Sequence, residues 1–262
     1  MQKGQINALA DELYEARGSA RSVEKLTGRY PELTVAEAYA IQLVNIDRRI
    51  QGGATIVGKK IGLTSEAMQT MLGVNEPDYG ILLSDMVATE EAGIDTNKLI
   101  APRIEAELAF VLKSDIDTAP YADIASVLAA TEFIVPSFEI IDSAIANWKM
   151  AIQDTVADNA SSAMLVLGKN RVPVSEIKDL TGIHMICRKD GAVIDEGESS
   201  AVMGHPAEAV AWLSNKLHEF GIRLRAGEII LSGSLTKAYA VEAGDVFTAE
   251  FADVGTVTAR FR

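Results

Sequence analysis

Apolar residues recur at helical spacing over the first fifty positions of the chain. They lie three or four positions apart within residues 5–17, and Gly18 follows as a helix stop. A second helix is predicted shortly afterwards, with Thr34 as its N-cap and Glu37 at the spacing of a capping box. These two helices predict an N-terminal helical arm over residues 1–53 that packs on the remainder of the chain.

Beyond this arm the pattern changes to short β-like runs separated by glycine and aspartate. Strands are predicted over residues 56–63, 81–87, 104–112, 134–141, 163–167, 183–188, 228–232, 246–251 and 256–261. Helices are predicted over residues 64–72, 121–130 and 205–220, and a turn over residues 75–80. A strand-rich second half with few intervening helices predicts an α+β fold. We expect one catalytic domain over residues 1–262, with its β-rich core over residues 54–262.

Composition narrows the classes of function. The chain has 262 residues, of which 48% are hydrophobic, and its formal net charge is −13. This charge argues against binding to nucleic acid or to an anionic membrane surface, because both depend on clustered Lys and Arg. The single cysteine, Cys187, excludes an intrachain disulfide and a zinc site built on cysteines. With no apolar signal core or membrane-spanning run, a soluble cytoplasmic protein is expected.

The predicted strand over residues 104–112 carries the clearest chemical signal. Side chains alternate along a strand, so Arg103, Glu105 and Glu107 share one face. Carboxylates at positions i and i+2 lie roughly 7 Å apart by the rise of a strand, and enclosing both is costly because they repel and lose hydration. A divalent cation between them would remove both costs. The alternative is a solvated face on which Arg103 is the counter-ion, and the pattern leaves both open.

A third carboxylate, Glu139, interrupts the apolar run over residues 134–141. If that run is buried, Glu139 must pair with a basic side chain or share a metal with Glu105 and Glu107. Three carboxylates without histidine or cysteine form a set of hard oxygen ligands. Such a set suits Mg²⁺ or Mn²⁺ better than zinc.

Lys60 lies in a predicted strand, with Gly58 and Gly62 two positions away on either side. Glycines inside a strand indicate a close approach of the backbone to a ligand. The neighbouring Lys59 must point to the opposite face, so at most one of the two lysines faces a pocket. A solvated side chain is the alternative for either. The polar segments 154–162 and 231–236 suit ligand-binding loops, but equally suit helix caps and turns.

Taken together, these residues form a series of motifs. In chain order they are GKKIGLTS at 58–65, PDYG at 77–80, PRIEAE at 102–107, EIIDS at 139–143, DTVADNAS at 154–161, GHP at 204–206 and ILSGS at 230–234. The combination resembles the 2-oxopent-4-enoate (2-hydroxypentadienoate) hydratases of the hydratase/decarboxylase family. This family belongs to the fumarylacetoacetate hydrolase-like superfamily, and the resemblance spans nearly the whole chain. It implies the fold of a fumarylacetoacetate hydrolase C-terminal domain, a mixed, rolled β-sheet with flanking helices.

The resemblance also implies the site. Its residues fall into three groups: metal ligands Glu105, Glu107 and Glu139; catalytic residues Lys60 and Asp78; and substrate-binding residues Leu63, Arg103, Ser161 and Ser234. The implied cofactor is Mg²⁺ or Mn²⁺, and the implied substrate is a small 2-oxo or 2-hydroxy dienoic acid. A homo-oligomer, a pentamer or decamer, is expected, together with association with a 4-oxalocrotonate decarboxylase.

The implied reaction adds water to 2-hydroxypenta-2,4-dienoate to give 4-hydroxy-2-oxopentanoate in aromatic meta-cleavage catabolism. Three alternatives stay open. The chain could be the sister enzyme 4-oxalocrotonate decarboxylase, it could hydrolyse acylpyruvates, or it could be a non-catalytic subunit that supports a partner enzyme. The segment over residues 147–149 and the pair Lys59-Lys60 favour the hydratase. Three carboxylates kept with Lys60 argue against a non-catalytic subunit, which has no reason to retain buried unpaired charges.

Overall fold

The computed structural model describes residues 1–65, 69–70 and 73–262. The described helices are α1 (Lys3–Gly18), α2 (Leu26–Arg29), α3 (Val35–Gln51), α4 (Ile124–Ala130), α5 (Ile152–Ala157) and α6 (Pro206–His218). The described strands are β1 (Ile56–Gly62), β2 (Asp78–Leu83), β3 (Val87–Ala88), β4 (Arg103–Leu112), β5 (Thr131–Ile141), β6 (Ser162–Leu167), β7 (Val172–Pro173), β8 (His184–Lys189), β9 (Ala192–Glu198), β10 (Ile229–Ser234), β11 (Tyr239–Ala240), β12 (Val246–Phe251) and β13 (Gly255–Arg260). The short helix predicted over residues 64–72 lies for the most part outside the described residues.

The N-terminal helices form as the sequence predicts. The Glu37 amide donates to the Thr34 hydroxyl at 3.3 Å, and the Glu37 carboxylate accepts from the Thr34 amide at 2.9 Å, which completes the capping box of α3. Leu9 and Leu13 of α1 and Ile41 of α3 are buried in the main hydrophobic cluster. The helices therefore share their apolar faces with the body of the protein.

The main sheet is mixed and brings the functional strands side by side. Its order is β2-β1-β10-β4-β5-β6-β3, with β11 beside β4 and β7 beside β5. Strand β1 runs parallel to β10, whereas β4 runs antiparallel to both β10 and β5. Strands β4 and β5 are buried along most of their length, including the first half of β4, in which charged and apolar residues alternate. The polar side chains of these central strands therefore lie inside the protein.

A second, antiparallel sheet has the order β13-β12-β8-β9. Its strands β12 and β13 pack on β5 of the main sheet, and Phe247, Phe251 and Val257 enter the same hydrophobic cluster. The predicted α+β fold, a mixed, curled sheet with flanking helices, is confirmed. Along the described ranges, no helix is both long enough and apolar enough to cross a membrane.

The turn predicted over residues 75–80 is wrong in its second half. Strand β2 already begins at Asp78, which pairs with Gly62, while Gly80 pairs with Lys60. Asp and Gly are typical of turns, but here the antiparallel partner β1 and full burial hold them in a strand. The strand predicted over residues 81–87 is likewise divided, because a short 3-10 helix over Ser84–Met86 separates β2 from β3.

Candidate metal centre and active-site cavity

A cavity of about 660 Å³ opens at the ends of β1, β4 and β10. Predicted site residues that line it are Lys60, Leu63, Asp78, Arg103, Glu105, Glu107, Ser161 and Ser234. The remaining predicted residue, Glu139, is fully buried and belongs to the same carboxylate cluster as Glu105 and Glu107. The fold thus brings together all nine residues, although they are spread over 175 positions of the chain.

The three glutamates converge because of strand register. Glu105 and Glu107 lie on the same face of β4, and Glu139 is the direct partner of Glu105 on β5. One carboxylate oxygen from each lies within 4.8 Å of the others. The Gly233 amide donates to Glu107 Oε2 at 2.8 Å, which orients that carboxylate. Neither oxygen of Glu139 has a hydrogen-bond partner among the described residues. Its ion pair with Lys60, at 3.4 Å, leaves oxygen lone pairs that can hold a cation.

The electrostatics of the cluster favour a cation. Burial raises the pKa of Glu105 to about 7, with a further contribution from the charge of Glu139. Burial and the neighbouring glutamates likewise raise the pKa of Glu107 well above its usual value. A bound divalent ion would compensate both the lost hydration and the mutual repulsion. Because all donors are carboxylate oxygens, the set fits a hard cation such as Mg²⁺.

Lys60 places an ammonium group beside the carboxylate cluster. Its Nζ lies 3.4 Å from Glu139 Oε2, and the side chain is nearly fully buried. Burial alone would lower the pKa of Lys60, but the charges of Glu139 and Asp78 outweigh it, so the pKa is raised and the ammonium form persists. Lys59 points to the other face and pairs with Glu228 at 2.6 Å. The prediction that only one of the two lysines faces a pocket is confirmed.

Asp78 faces Lys60 from β2. It is buried, and its Oδ1 lacks a hydrogen-bond partner within the described ranges. Burial raises the pKa of Asp78, while the charge of Lys60 and a hydrogen bond from Thr155 act in the opposite direction. A methyl group at Gly62 would lie 2.3 Å from Asp78 Oδ1. The glycine therefore allows Asp78 to approach Lys60, whereas the close contact at Gly58 is with the backbone of Ile229.

Arg103 makes no ion-pair contact with the glutamates in the described ranges, although its charge partly opposes the burial that raises the pKa of Glu105. The ion pairs formed by the described part of the chain do not include it. Its guanidinium carbon instead lies 4.7 Å from the ring centroid of Trp148, and both side chains line the cavity. The alternative of a solvated face neutralised by Arg103 is thus wrong, because Glu107 and Glu139 are buried.

The remaining substrate-binding candidates lie around the same cavity. Leu63 and Ser161 both have left-handed backbone conformations, with φ values of 58° and 55°. The Ser161 hydroxyl lies 3.5 Å from that of Thr155, and the Ser234 hydroxyl has no partner in the ranges described. Non-glycine residues rarely adopt this conformation, which is concentrated at functional sites.

The polar segment 154–162 divides between structural and site roles. Asp154 accepts hydrogen bonds from the Thr27 amide and hydroxyl and caps the start of α5, and Asp158 pairs with Arg17 at 2.8 Å. Thr155, Ala160 and Ser161 of this segment line the cavity. The sequence interpretation did not assign Thr155 or Trp148 to the site. Thr155 belongs to the motif DTVADNAS at 154–161, but no pattern separates it from a helix cap.

Fold and site together define an α+β enzyme with a carboxylate cluster suited to a divalent metal. The fumarylacetoacetate (FAA) hydrolase C-terminal family matches residues 62–262, and the chain belongs to this family. The resemblance to the 2-oxopent-4-enoate hydratases, predicted from the motifs, is also confirmed, because curated relatives of nearly equal length carry that name or close variants of it.

Two curated relatives and one solved structure illustrate the similarity. The chain is 45% identical over 258 residues to 2-hydroxyhexa-2,4-dienoate hydratase from Comamonas testosteroni, covering 98% of this chain and 97% of that protein. It is 46% identical over 223 residues to 2-hydroxypent-2,4-dienoate hydratase from Pseudomonas putida, covering 85% and 100%. The structure of 4-oxalocrotonate decarboxylase from Pseudomonas putida G7, complexed with magnesium and adipate, matches with a TM-score of 0.95 and 37% identity, covering 100% and 99%.

Proposed function

We propose that the protein is a metal-dependent hydratase acting as a single domain over residues 1–262. It adds water to 2-hydroxypenta-2,4-dienoate and gives 4-hydroxy-2-oxopentanoate in the meta-cleavage catabolism of aromatic compounds. The observation that carries this proposal is the buried set of Glu105, Glu107, Glu139 and Lys60 at one cavity. Relatives that are 45% and 46% identical to this chain are dienoate hydratases, which supports the same substrate class here.

The three glutamates are proposed to hold Mg²⁺ or Mn²⁺. Their fit rests on the convergence of their oxygens and on the carboxylate of Glu139, which accepts no hydrogen bond from the described residues. When bound, the cation would supply Lewis-acid polarisation of a 2-oxo acid and offset the charge of the cluster. The solved relative complexed with magnesium supports this assignment.

Lys60 and Asp78 are proposed to carry the proton chemistry. During ketonisation the proton of the 2-hydroxyl group leaves and a proton arrives at C5; water then adds across C3 and C4, with its hydroxyl group on C4. Negative charge collects on the oxygen at C2 in both stages. The Lys60 ammonium, kept charged by its neighbours, can donate a hydrogen bond to that oxygen. Asp78, whose pKa is raised, is suited to accept and return a proton.

The cavity walls are proposed to orient the substrate. Arg103 supplies a cation for the substrate carboxylate, and Ser161 and Ser234 supply hydroxyl groups. Leu63 contributes to an apolar wall for the hydrocarbon chain, to which Ile141 and Met150 also belong. A cavity of about 660 Å³ exceeds the size of a five-carbon acid, so its volume does not restrict the substrate to the unsubstituted diene.

The decarboxylase is the second candidate, because a 4-oxalocrotonate decarboxylase shares the fold at 37% identity. One experiment separates the two functions. The dienol absorbance of 2-hydroxypenta-2,4-dienoate is followed with the purified protein and Mg²⁺, and then with excess EDTA. Loss of the band, formation of 4-hydroxy-2-oxopentanoate and arrest by EDTA support the hydratase. Release of carbon dioxide from 4-oxalocrotonate without hydration of the dienoate would favour the decarboxylase, and metal binding without either turnover would favour a non-catalytic partner subunit.

Assembly and location complete the proposal. The chain is proposed to form a cytoplasmic pentamer or decamer and to associate with a 4-oxalocrotonate decarboxylase, as the family resemblance implies. Apolar side chains exposed on α3, Leu43 and Ile50, are available for contacts between copies. Light scattering after size-exclusion chromatography, alone and with the decarboxylase, measures both associations.

A further inference from the structure

One wall of the cavity contains a cationic side chain that lies over an aromatic ring. The Arg103 guanidinium lies over the Trp148 ring at 4.7 Å from its centroid, and both residues line the cavity. Arg103 precedes Glu105 by two positions on the same face of β4, so its charge adjoins the carboxylate cluster. A guanidinium stacked on an aromatic face keeps its N–H groups free at the edges. Arg103 therefore has N–H donors that are not engaged in an ion pair with any described residue.

The indole of Trp148 is itself fixed in place. Its Nε1 donates to the Ala101 carbonyl at 3.1 Å. Both Trp148 and the preceding Asn147 have left-handed backbone conformations, with φ values of 54° and 60°. This conformation is tolerated by asparagine but is a marked outlier for a bulky residue such as tryptophan. Such outliers persist only where the surrounding structure holds them, and they are concentrated at functional sites.

The segment that accepts the indole hydrogen bond is anchored as well. The buried carboxylate of Asp142 accepts from the Ile100 amide at 3.0 Å and from the Ala101 amide at 2.7 Å. Asp142 is in turn bridged by Arg17 of α1. Asp142 therefore fixes the backbone at Ala101, and the Ala101 carbonyl fixes the indole of Trp148. The indole in turn contacts the guanidinium of Arg103.

We infer that Trp148 is a positioning residue, which holds Arg103 so that its paired N–H groups face the substrate carboxylate. Arginine binds carboxylates through two parallel hydrogen bonds, and this geometry requires a fixed guanidinium plane. The indole fixes that plane before the substrate arrives and so removes the ordering cost from binding. The inference deepens the proposed function, because it rests on a 2-oxo acid substrate.

Ligand binding tests the inference without turnover. Calorimetry at saturating Mg²⁺ would measure the affinity of 2-oxopentanoate, a saturated analogue, and of its primary amide, which lacks the negative charge. We expect Trp148→Ala to weaken binding of the acid about tenfold, because the stacking that orients Arg103 is lost. Trp148→Phe keeps an aromatic face and should weaken it by no more than about threefold. The amide should change by less than about twofold in both variants, since a neutral group gains little from Arg103.

A double-mutant cycle shows whether Trp148 acts through Arg103. In an Arg103→Ala background, Trp148→Ala should cause no further loss of affinity for the acid. Trp212→Phe, on α6, is the matched control and should leave both affinities unchanged. The Mg²⁺ affinity of the two Trp148 variants and of Trp212→Phe, measured in the absence of ligand, should match that of the wild type.

Three results would overturn the inference. Equal losses for acid and amide would make Trp148 a part of the apolar wall only. Additive losses of affinity in the Arg103→Ala background would show that Trp148 does not act through Arg103. Failure of the wild type to bind 2-oxopentanoate would remove the carboxylate site. Failure of the hydratase proposal would give a different result. The protein would not turn over the dienoate, but its variants would still show the expected pattern of ligand affinities.

Discussion

At the scale of single residues, two adjacent lysines on β1 have different partners because they lie on opposite faces of the strand. Lys59 and Lys60 have the same chemistry and nearly the same burial, but they face opposite sides of β1. Lys60 lies near several carboxylates, whose combined negative charge exceeds its single positive charge. Lys59 forms a one-to-one ion pair with Glu228. Only Lys60 has a charge that is available to a ligand.

This difference predicts opposite phenotypes for the same substitution at neighbouring positions. Lys60→Met should lower the turnover of the dienoate about 100-fold to 1000-fold, because the donor to the charge on the C2 oxygen is removed. Lys59→Met should leave turnover close to that of the wild type, but lower the free energy of unfolding by about 3 kcal/mol, because Glu228 loses its buried partner. Steady-state kinetics and urea unfolding of the Mg²⁺-loaded proteins measure the two effects. Equal loss of turnover in both variants would contradict the assignment of Lys60.

Glu107→Gln tests the metal site while preserving shape. An amide oxygen can still accept the hydrogen bond from Gly233, but it carries no charge for the cation. We expect a decrease in turnover of about 100-fold or more, together with a lower affinity for Mg²⁺. The matched control is Glu132→Gln, which changes an exposed glutamate on β5. Metal-dependent turnover near that of the wild type in Glu107→Gln would remove Glu107 from the ligand set.

At the scale of elements, the pairing of β1 with β2 brings the acidic side chain of Asp78 close to the basic side chain of Lys60. Gly62 pairs with Asp78 in that register, and a methyl group on Gly62 would come within 2.3 Å of Asp78 Oδ1 and 3.1 Å of Lys60 Nζ. Gly62→Ala should therefore displace Asp78 and reduce turnover about tenfold to 100-fold, since a shift near 1 Å costs that much in a catalytic site. The crystal structure and kcat of the variant measure both effects.

A second glycine provides the control for this substitution. A methyl group at Gly4 in α1 would have no neighbour within 4 Å. Gly4→Ala should leave kcat unchanged and raise the free energy of unfolding by about 0.5–1 kcal/mol, because alanine favours the helix. If Gly62→Ala retained full kcat with Asp78 in place, the contact between the two strands would have no part in catalysis.

The elements also show what the sequence could predict. Helix α3 was predictable because its capping box and apolar spacing are local signals. Strands β4 and β5 were predictable because long apolar runs suit buried strands. Strand β9 was missed because its exposed residues alternate weakly. Helix α5 was missed because its six residues are too few to show helical periodicity.

For the site, the motifs suggested all nine residues, but the spatial arrangement depends on pairings between distant strands. The partnership of Glu105 with Glu139 is a matter of register, which one sequence does not reveal. The stack of Arg103 on Trp148 depends on a loop whose backbone is left-handed at two positions. A pattern of hydrophobic and polar residues carries no information on such a conformation.

At the scale of the whole molecule, the site leaves a concentrated charge in the interior. Four acidic side chains, Glu105, Glu107, Glu139 and Asp78, share the cavity region with the buried ammonium of Lys60. Without a cation, burial and mutual repulsion destabilise the folded state relative to the unfolded chain, in which all four are hydrated. The protein as a whole should therefore be most stable when the metal is bound.

Metal binding is thus predicted to stabilise the fold measurably. A ligand at about 100 times its Kd adds about 2.7 kcal/mol to the free energy of unfolding, which for a chain of this size raises Tm by about 5–10 °C. Calorimetric unfolding with Mg²⁺, and again after EDTA treatment, measures this shift. Sodium chloride at equal ionic strength should have little effect, because screening does not replace a ligand inside a buried cluster. Glu139→Gln should lose most of the Mg²⁺-dependent shift, whereas Glu132→Gln on the same strand should keep it. A full shift in Glu139→Gln would mean that the cation binds elsewhere on this acidic protein.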